Sequence, residues 1–127
     1  MSERVVFEYA LLRVVPRVER GEFFNAGVVV YCRPKGFVGA RTELDEGKLK
    51  VLDPAADVTG VRAALRGVEG ICRGGADAGQ AMGDDAGRRF RWLIAPRSTV
   101  IQPSPVHSGL TTDPAAEVER LFDLLVR

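Results

Sequence analysis

The sequence contains little cysteine and histidine, and this scarcity argues against two classes of site. Only Cys32, Cys72 and His107 offer a thiol or an imidazole, and the two cysteines lie far apart in apolar stretches. They are too few for a zinc site and form no CxxC pair or disulfide framework. We therefore expect buried, reduced cysteines in a cytoplasmic protein that needs no cofactor, although carboxylates leave a magnesium site open.

Long apolar runs and the common nucleotide-binding motifs are also absent. No apolar run approaches the roughly 20 residues that cross a bilayer, and the initial MSERVVFEYALL lacks the pattern of a signal peptide. Walker A and GxGxxG loops do not occur. The sequence therefore predicts a soluble intracellular protein without a recognisable nucleotide motif.

Charge of one sign is not in excess either. Lys and Arg total 18 against 17 Asp and Glu, giving a formal charge of +1, so no overall field favours a polyanion or an anionic membrane. Lysine occurs only at positions 35, 48 and 50, a bias that a GC-rich genome explains. The 127 residues, 46% of them hydrophobic, predict one globular domain over residues 1–127.

Several segments have the composition of strands. Residues 5–15 are rich in β-branched and aromatic side chains, and residues 26–32 form a continuous apolar run typical of a central strand covered on both faces. A turn at residues 33–36 joins this run to FVGARTEL in a hairpin. Residues 88–94 alternate in polarity, which favours a strand, and STVIQ after Pro96 favours a short one.

Two segments have helical periodicity. Asp57 stands at an N-cap position before the first, and Asp113 with Pro114 begins the second. Gly74 ends the first helix, and the glycine-rich residues 74–87 are predicted to form a mobile loop. The repeating apolar positions are Val61, Ala64, Leu65, Val68 and Cys72 in one helix and Val118, Leu121, Phe122 and Leu125 in the other.

The order of these segments decides the predicted fold class. Strands come first, then a helix, further strands and a final helix, which does not match repeated βαβ units. We predict an α+β fold, with a mostly antiparallel sheet of about five strands and two main helices packed on one face.

The loop at residues 16–25 is the first candidate functional site. Its polar residues are Arg17, Glu19, Arg20, Glu22 and Asn25. Glu22 could act as a general base or metal ligand, and the arginines could bind phosphate or a carboxylate. If the loop winds into a helical turn, Glu22 and Asn25 share a face. The alternative, favoured on spacing, is that the charged residues pair with one another and Asn25 caps the turn.

The loop at residues 96–109 is the second candidate. It offers Arg97, Ser98 and His107 as binding residues among three prolines. The serines beside His107 do not suggest a nucleophile, because adjacent side chains point apart and no GxSxG motif is present. A proline-stiffened connector whose shape His107 helps to fix is the simpler interpretation.

The basic and aromatic residues at positions 88–92 suggest a third kind of surface. Arg89 and Arg91 could bind nucleic acid beside Phe90 and Trp92. A strand that buries the two rings and exposes the two arginines explains the same pattern, and the near-neutral charge favours that explanation. Nucleic-acid binding is therefore the third hypothesis.

Three stretches together resemble a bacterial family called domain of unknown function 3037. They are EYALLRVVPRVERGEFFNAGVVVYC, LDPAAD and RWLIAPRSTVIQPSPVHSGL. The resemblance extends over nearly the whole chain. The resemblance brings almost no mechanism. It implies that relatives are often encoded beside a kinase-like protein related to the persistence kinase HipA, and so an accessory or regulatory partner.

These observations give two main hypotheses, and they favour a function other than catalysis. The first is a non-catalytic module that presents both loops to a protein partner, anchored by Arg17, Arg20 and Arg97. The second is a small phosphate-handling enzyme or ligand-binding domain in which Glu22 and His107 are the catalytic candidates. It requires both residues to meet Arg97 in one pocket.

Overall fold

A computed structural model describes residues 3–74, 85–97 and 99–127 of the chain. The strands are β1 (Val5–Val14), β2 (Phe24–Cys32), β3 (Phe37–Thr42), β4 (Ile101–Pro103) and β5 (His107–Thr111). The α-helices in this part of the chain are α1 (Glu46–Leu52), α2 (Val58–Arg73), α3 (Ala86–Ile94) and α4 (Pro114–Leu125). This combination of strands and helices confirms the predicted α+β class.

The five strands form one antiparallel sheet in which β1 is central. Its strand order begins β3, β2, β1, and both β4 and β5 pair with the remaining edge of β1. β5 lies beside the first half of β1, and β4 lies beside its last three residues. The number of strands and the antiparallel pairing are as predicted, and the hairpin of β2 and β3 is confirmed.

Helices cover both faces of the sheet, which corrects the prediction that they share one. Val28 and Val30 of β2 pack with α4, whereas Val29 between them packs with α2 and α3. All three valines are 0% exposed. Neighbouring strand residues point to opposite faces, so an uninterrupted apolar run needs a layer of helix on each side.

The helices begin at aspartate caps, which confirms the positions predicted for α2 and α4. Asp57 Oδ1 accepts a hydrogen bond from Gly60 N, and Asp113 Oδ1 accepts from Ala115 N. Asp45 and Asp85 cap α1 and α3 in the same way, and neither helix was predicted. Each cap satisfies a backbone N–H that the first turn leaves without a partner.

Residues 88–94 were predicted as a strand and belong to α3, so that prediction is wrong. The buried Phe90 and Leu93 are three residues apart on one side of this helix, and Trp92 is 42% exposed. A window of seven residues matched the alternation of a strand because arginines happen to fall between the apolar residues. The helical spacing of the buried residues decides the structure.

The segment after α3 is more regular than the predicted connector. STVIQ was predicted to be a strand, and β4 covers only its last two residues together with Pro103. β5 begins within the loop predicted for residues 96–109 and ends two residues after it, at Thr111. Gly74 ends α2 as predicted. Most of the glycine-rich segment, residues 75–84, lies outside the described residues.

Substitution of Gly67 measures how much a glycine lowers the stability of α2. The position is exposed, and a β-carbon added there would meet no atom within 4 Å. Replacing Gly67 by alanine is expected to raise the free energy of unfolding by about 0.5–1 kcal/mol, because alanine loses less backbone entropy in a helix. Urea denaturation measures the change.

Gly36 provides the matched control for this substitution. It ends the hairpin turn at a φ of 58°, with no atom within 4 Å of an added β-carbon. An alanine side chain disfavours that backbone conformation, so Gly36→Ala is expected to destabilise the domain by about 1 kcal/mol. Equal effects of the two substitutions would contradict a backbone origin for either one.

Among the described residues, none of the helices combines the length and apolar character needed to cross a membrane.

Candidate functional site

An apolar groove of about 700 Å³ lies beside α2. We call it the α2 groove. One side is formed by Gly60, Val61, Ala64, Gly67, Val68 and Ile71, and the other by Pro16, Leu93, Arg97, Thr99, Val100 and Ile101. Leu49, Asp53 and Asp57 lie near the beginning of α2. A cavity of this size and character is typical of a binding site.

The fold explains why this groove stays open. Val61 and Leu65 turn toward the sheet and pack with Leu49 in the core. Gly67 also lines the groove and carries no side chain, and a β-carbon added there would meet no atom within 4 Å. The groove therefore results from small residues on a helix face that is only partly covered.

Both predicted loops contribute to the α2 groove, but mostly through residues other than the predicted ones. Pro16 begins the first loop, and Arg97 and Thr99 belong to the second. Among the described residues, Arg97 is the one predicted site residue that lines the groove. Its guanidinium lies 5.6 Å from the centre of the Trp92 ring, and its Nη2 donates to the carbonyl oxygen of Trp92.

The charged residues of the first loop pair with one another. Arg17 Nε donates to Glu19 at 2.8 Å, and Arg20 Nε donates to Glu22 at 2.7 Å. The hydrogen bond from Arg20 holds the pKa of the Glu22 carboxyl below its ordinary value. A lowered pKa makes Glu22 a weaker base, and the pairing matches the simpler interpretation of this loop.

Asn25 lies in β2 and not in a helical turn with Glu22. The only regular turn in the loop is a 3-10 helix at Val18–Arg20. Asn25 Nδ2 donates to the carbonyl oxygen of Leu125 at 3.2 Å. The side chain therefore joins the beginning of β2 to the end of α4 and does not cap the loop.

Glu22 and His107 lie far apart. His107 pairs with Tyr9 on one edge of β1, while Phe24, two residues after Glu22, pairs with Val14 on the other edge. Tyr9 and Val14 are five residues apart, which is roughly 16 Å along a strand. Neither Glu22 nor His107 lines the α2 groove. The structure thus does not bring these two residues together with Arg97.

His107 packs against an aromatic ring, and Ser98 lies outside the described residues. The His107 and Tyr9 rings are 5.4 Å apart on neighbouring strands. In the described part of the chain, no three His, Cys, Asp or Glu side chains cluster as a metal site would require.

The structure does not align the residues named in the third hypothesis, a nucleic-acid platform, on one surface. Arg89 and Arg91 are two residues apart on α3, so they point to nearly opposite sides of the helix. Phe90 is 2% exposed and not available for stacking on a base. A stacking platform needs exposed rings beside cations on one surface.

The sequence of the chain matches the model of a protein family. The model of the family described as "Protein of unknown function (DUF3037)" matches residues 9–126. The chain belongs to this family. No curated protein and no solved structure matches it. The resemblance inferred from the sequence is confirmed, and the DUF3037 description assigns no activity.

The sequence predictions missed most of the site in this DUF3037 chain. Gly60, Ala64 and Gly67 follow one another at helical spacing, but of these only Ala64 was included in the apolar pattern of the helix. The signal was their position on one side of the helix, adjacent to its buried stripe. The opposite wall is assembled from residues distant in the sequence, so no local pattern indicated it.

Proposed function

We propose that this chain is a non-catalytic interaction module that binds a protein partner in the α2 groove. The observation that carries the proposal is an open apolar groove to which both candidate loops contribute. Apolar grooves with a few charged residues at the rim are common docking sites for protein segments. Arg97 lies at this rim, and arginine is frequent among residues that dominate binding energy.

The charge pattern around the groove supports binding and gives no support to catalysis. Glu22 and His107, the catalytic candidates, lie outside the groove. The carboxylates near the groove are Asp53 and Asp57, and each accepts a backbone hydrogen bond, from Ala55 and Gly60. We propose that Arg17 and Arg20 extend the docking surface from Pro16, since they follow it closely in the chain.

A kinase-like protein related to HipA is the first partner to test, because the family resemblance suggests it. We expect it to copurify with the wild-type chain and with Gly67→Ala. Gly67→Phe places a ring in the groove and should weaken binding by about tenfold or more, since it displaces at least one apolar side chain of the partner. Isothermal titration calorimetry with the purified proteins measures the change.

Gly67→Ala is the matched control because it alters the same helix position and adds only one methyl group. Circular dichroism should show that both variants remain folded. Arg97→Glu tests the rim cation in the same assay, and the double variant Arg17→Glu, Arg20→Glu tests the first loop. If Gly67→Phe binds the partner as tightly as the wild type does, the groove is not the docking site.

A further inference from the structure

The wall of the α2 groove has the shape that a packed helix requires. Gly60, Ala64, Gly67 and Ile71 recur at intervals of four, three and four residues, so they lie along one side of α2. From Gly60 to Ile71 this side is about 16 Å long, or three helical turns. The glycines and the alanine at the first three of these positions let the backbone of a second helix come close.

The opposite wall does not favour an added strand. Val15 N bonds to Val100 O and Ser104 N bonds to Leu11 O, so the outward backbone groups of β4 belong to Ile101 and Pro103. Proline has no N–H to donate, and the Ile101 carbonyl already accepts from Thr99 Oγ1 at 2.9 Å. A partner strand would find few of the alternating donors and acceptors that it needs.

Opposite charges line the two halves of the groove. Asp53 and Asp57 precede α2, whereas the Arg97 guanidinium lies against Trp92, whose neighbour Leu93 packs in one cluster with Val68 in the second half of α2. Within the described part of the chain, none of these three charged groups forms an ion pair. They are therefore available to a partner of complementary charge.

We infer that the occupant of the α2 groove is an amphipathic α-helix of a protein partner, about three turns long. Its beginning lies at Asp53 and Asp57 and carries basic residues, and its end lies at Arg97 and carries acidic residues. This direction also places the positive end of the helix dipole beside the two aspartates. The inference rests on the proposed function, because it names the class of partner for the same groove.

A random library of 16-residue peptides displayed on phage tests this inference without knowledge of the natural partner. Selection uses the full wild-type chain, with counter-selection on Gly67→Phe to remove peptides that bind elsewhere. We expect enriched sequences with apolar residues at i, i+3 or i+4, i+7 and i+11. Lysine or arginine should occur in the first turn, and aspartate or glutamate in the last.

Synthetic versions of the best peptide then test the helix and its direction by fluorescence anisotropy. A central proline should weaken binding roughly a hundredfold, because it breaks the helix. Arg97→Glu should weaken binding of the unaltered peptide about fivefold and favour a peptide with a basic last turn. Circular dichroism of Arg97→Glu should show an unchanged fold.

The remaining outcomes separate the inference from the proposed function. Groove-dependent peptides that alternate in polarity, are rich in proline or tolerate the central proline would overturn the helical occupant and leave the docking groove intact. Helical peptides with the charges reversed would overturn the direction. If no enriched sequence depends on the open groove, the inference and the docking site both fail.

Discussion

Replacing Phe122 by alanine is expected to lower the free energy of unfolding by about 3–5 kcal/mol, because it leaves a cavity the size of a phenyl ring. Phe122 is 0% exposed and lies in the cluster that joins α4 to β1 and β2. The guanidinium of Arg41 also lies 4.2 Å from the centre of its ring. Urea denaturation at neutral pH measures the loss.

Leu124 is the matched control on the same helix. It is 65% exposed, so Leu124→Ala is expected to change the stability by no more than about 0.5 kcal/mol. A loss below about 1 kcal/mol for Phe122→Ala would contradict the packing described for α4. An equal loss for both variants would point to helix propensity as the cause.

β1, β2, β3 and two of the helices could be predicted because their local and tertiary requirements agree. Residues 26–32 are apolar at every position, and β2 is buried on both faces of the sheet. Asp57 and Asp113 precede clear apolar stripes, and both cap the helices that follow. At these places composition, capping and burial indicate the same structure.

The prediction was wrong where a short segment matches both helix and strand periodicity, or where contacts with distant residues determine its structure. α3 matched a strand over seven residues, and only packing with Val68 and Cys72 shows which side is buried. β5 contains His107, Ser108 and Gly109, a composition that local reasoning assigns to a loop. Its pairing with the first half of β1 makes it a strand.

The candidate site was predictable only in part, for the same reason. Charged loops are visible in a sequence, and Arg97 was singled out in that way. The distance between Glu22 and His107 depends on strand register, which the sequence does not specify. A groove is a space between secondary-structure elements. It is created by residues whose side chains leave that space unfilled, such as Gly67, and a sequence pattern does not show the space.

Cys72 is expected to be nearly unreactive in the native protein. The side chain is 8% exposed, and burial raises the pKa of its thiol to about 12. In an unfolded chain the pKa is about 8.5, so the thiolate fraction at pH 8 falls roughly a thousandfold on folding. Mass spectrometry of the Cys72 peptide after iodoacetamide labelling, with and without urea, measures this protection.

The raised pKa also makes stability depend on pH in a definite direction. Between about pH 9 and pH 12 the unfolded chain loses the Cys72 proton and the native protein keeps it. The native state then binds more protons, so stability falls as the pH rises, by about 1.4 kcal/mol per pH unit from this group. Below about pH 8 both states are protonated and the contribution is fully present.

Urea denaturation at pH 8, 9, 10 and 11 under reducing conditions tests this slope. Cys72→Ala is the control, because it retains Cys32 and every other group that titrates in this range. The wild type should lose stability more steeply than this variant above pH 9. Equal slopes, or rapid labelling of Cys72 in the native protein, would mean that α2 opens readily at its C-terminal half. The wall of the α2 groove would then not be the fixed surface on which docking of a helix depends.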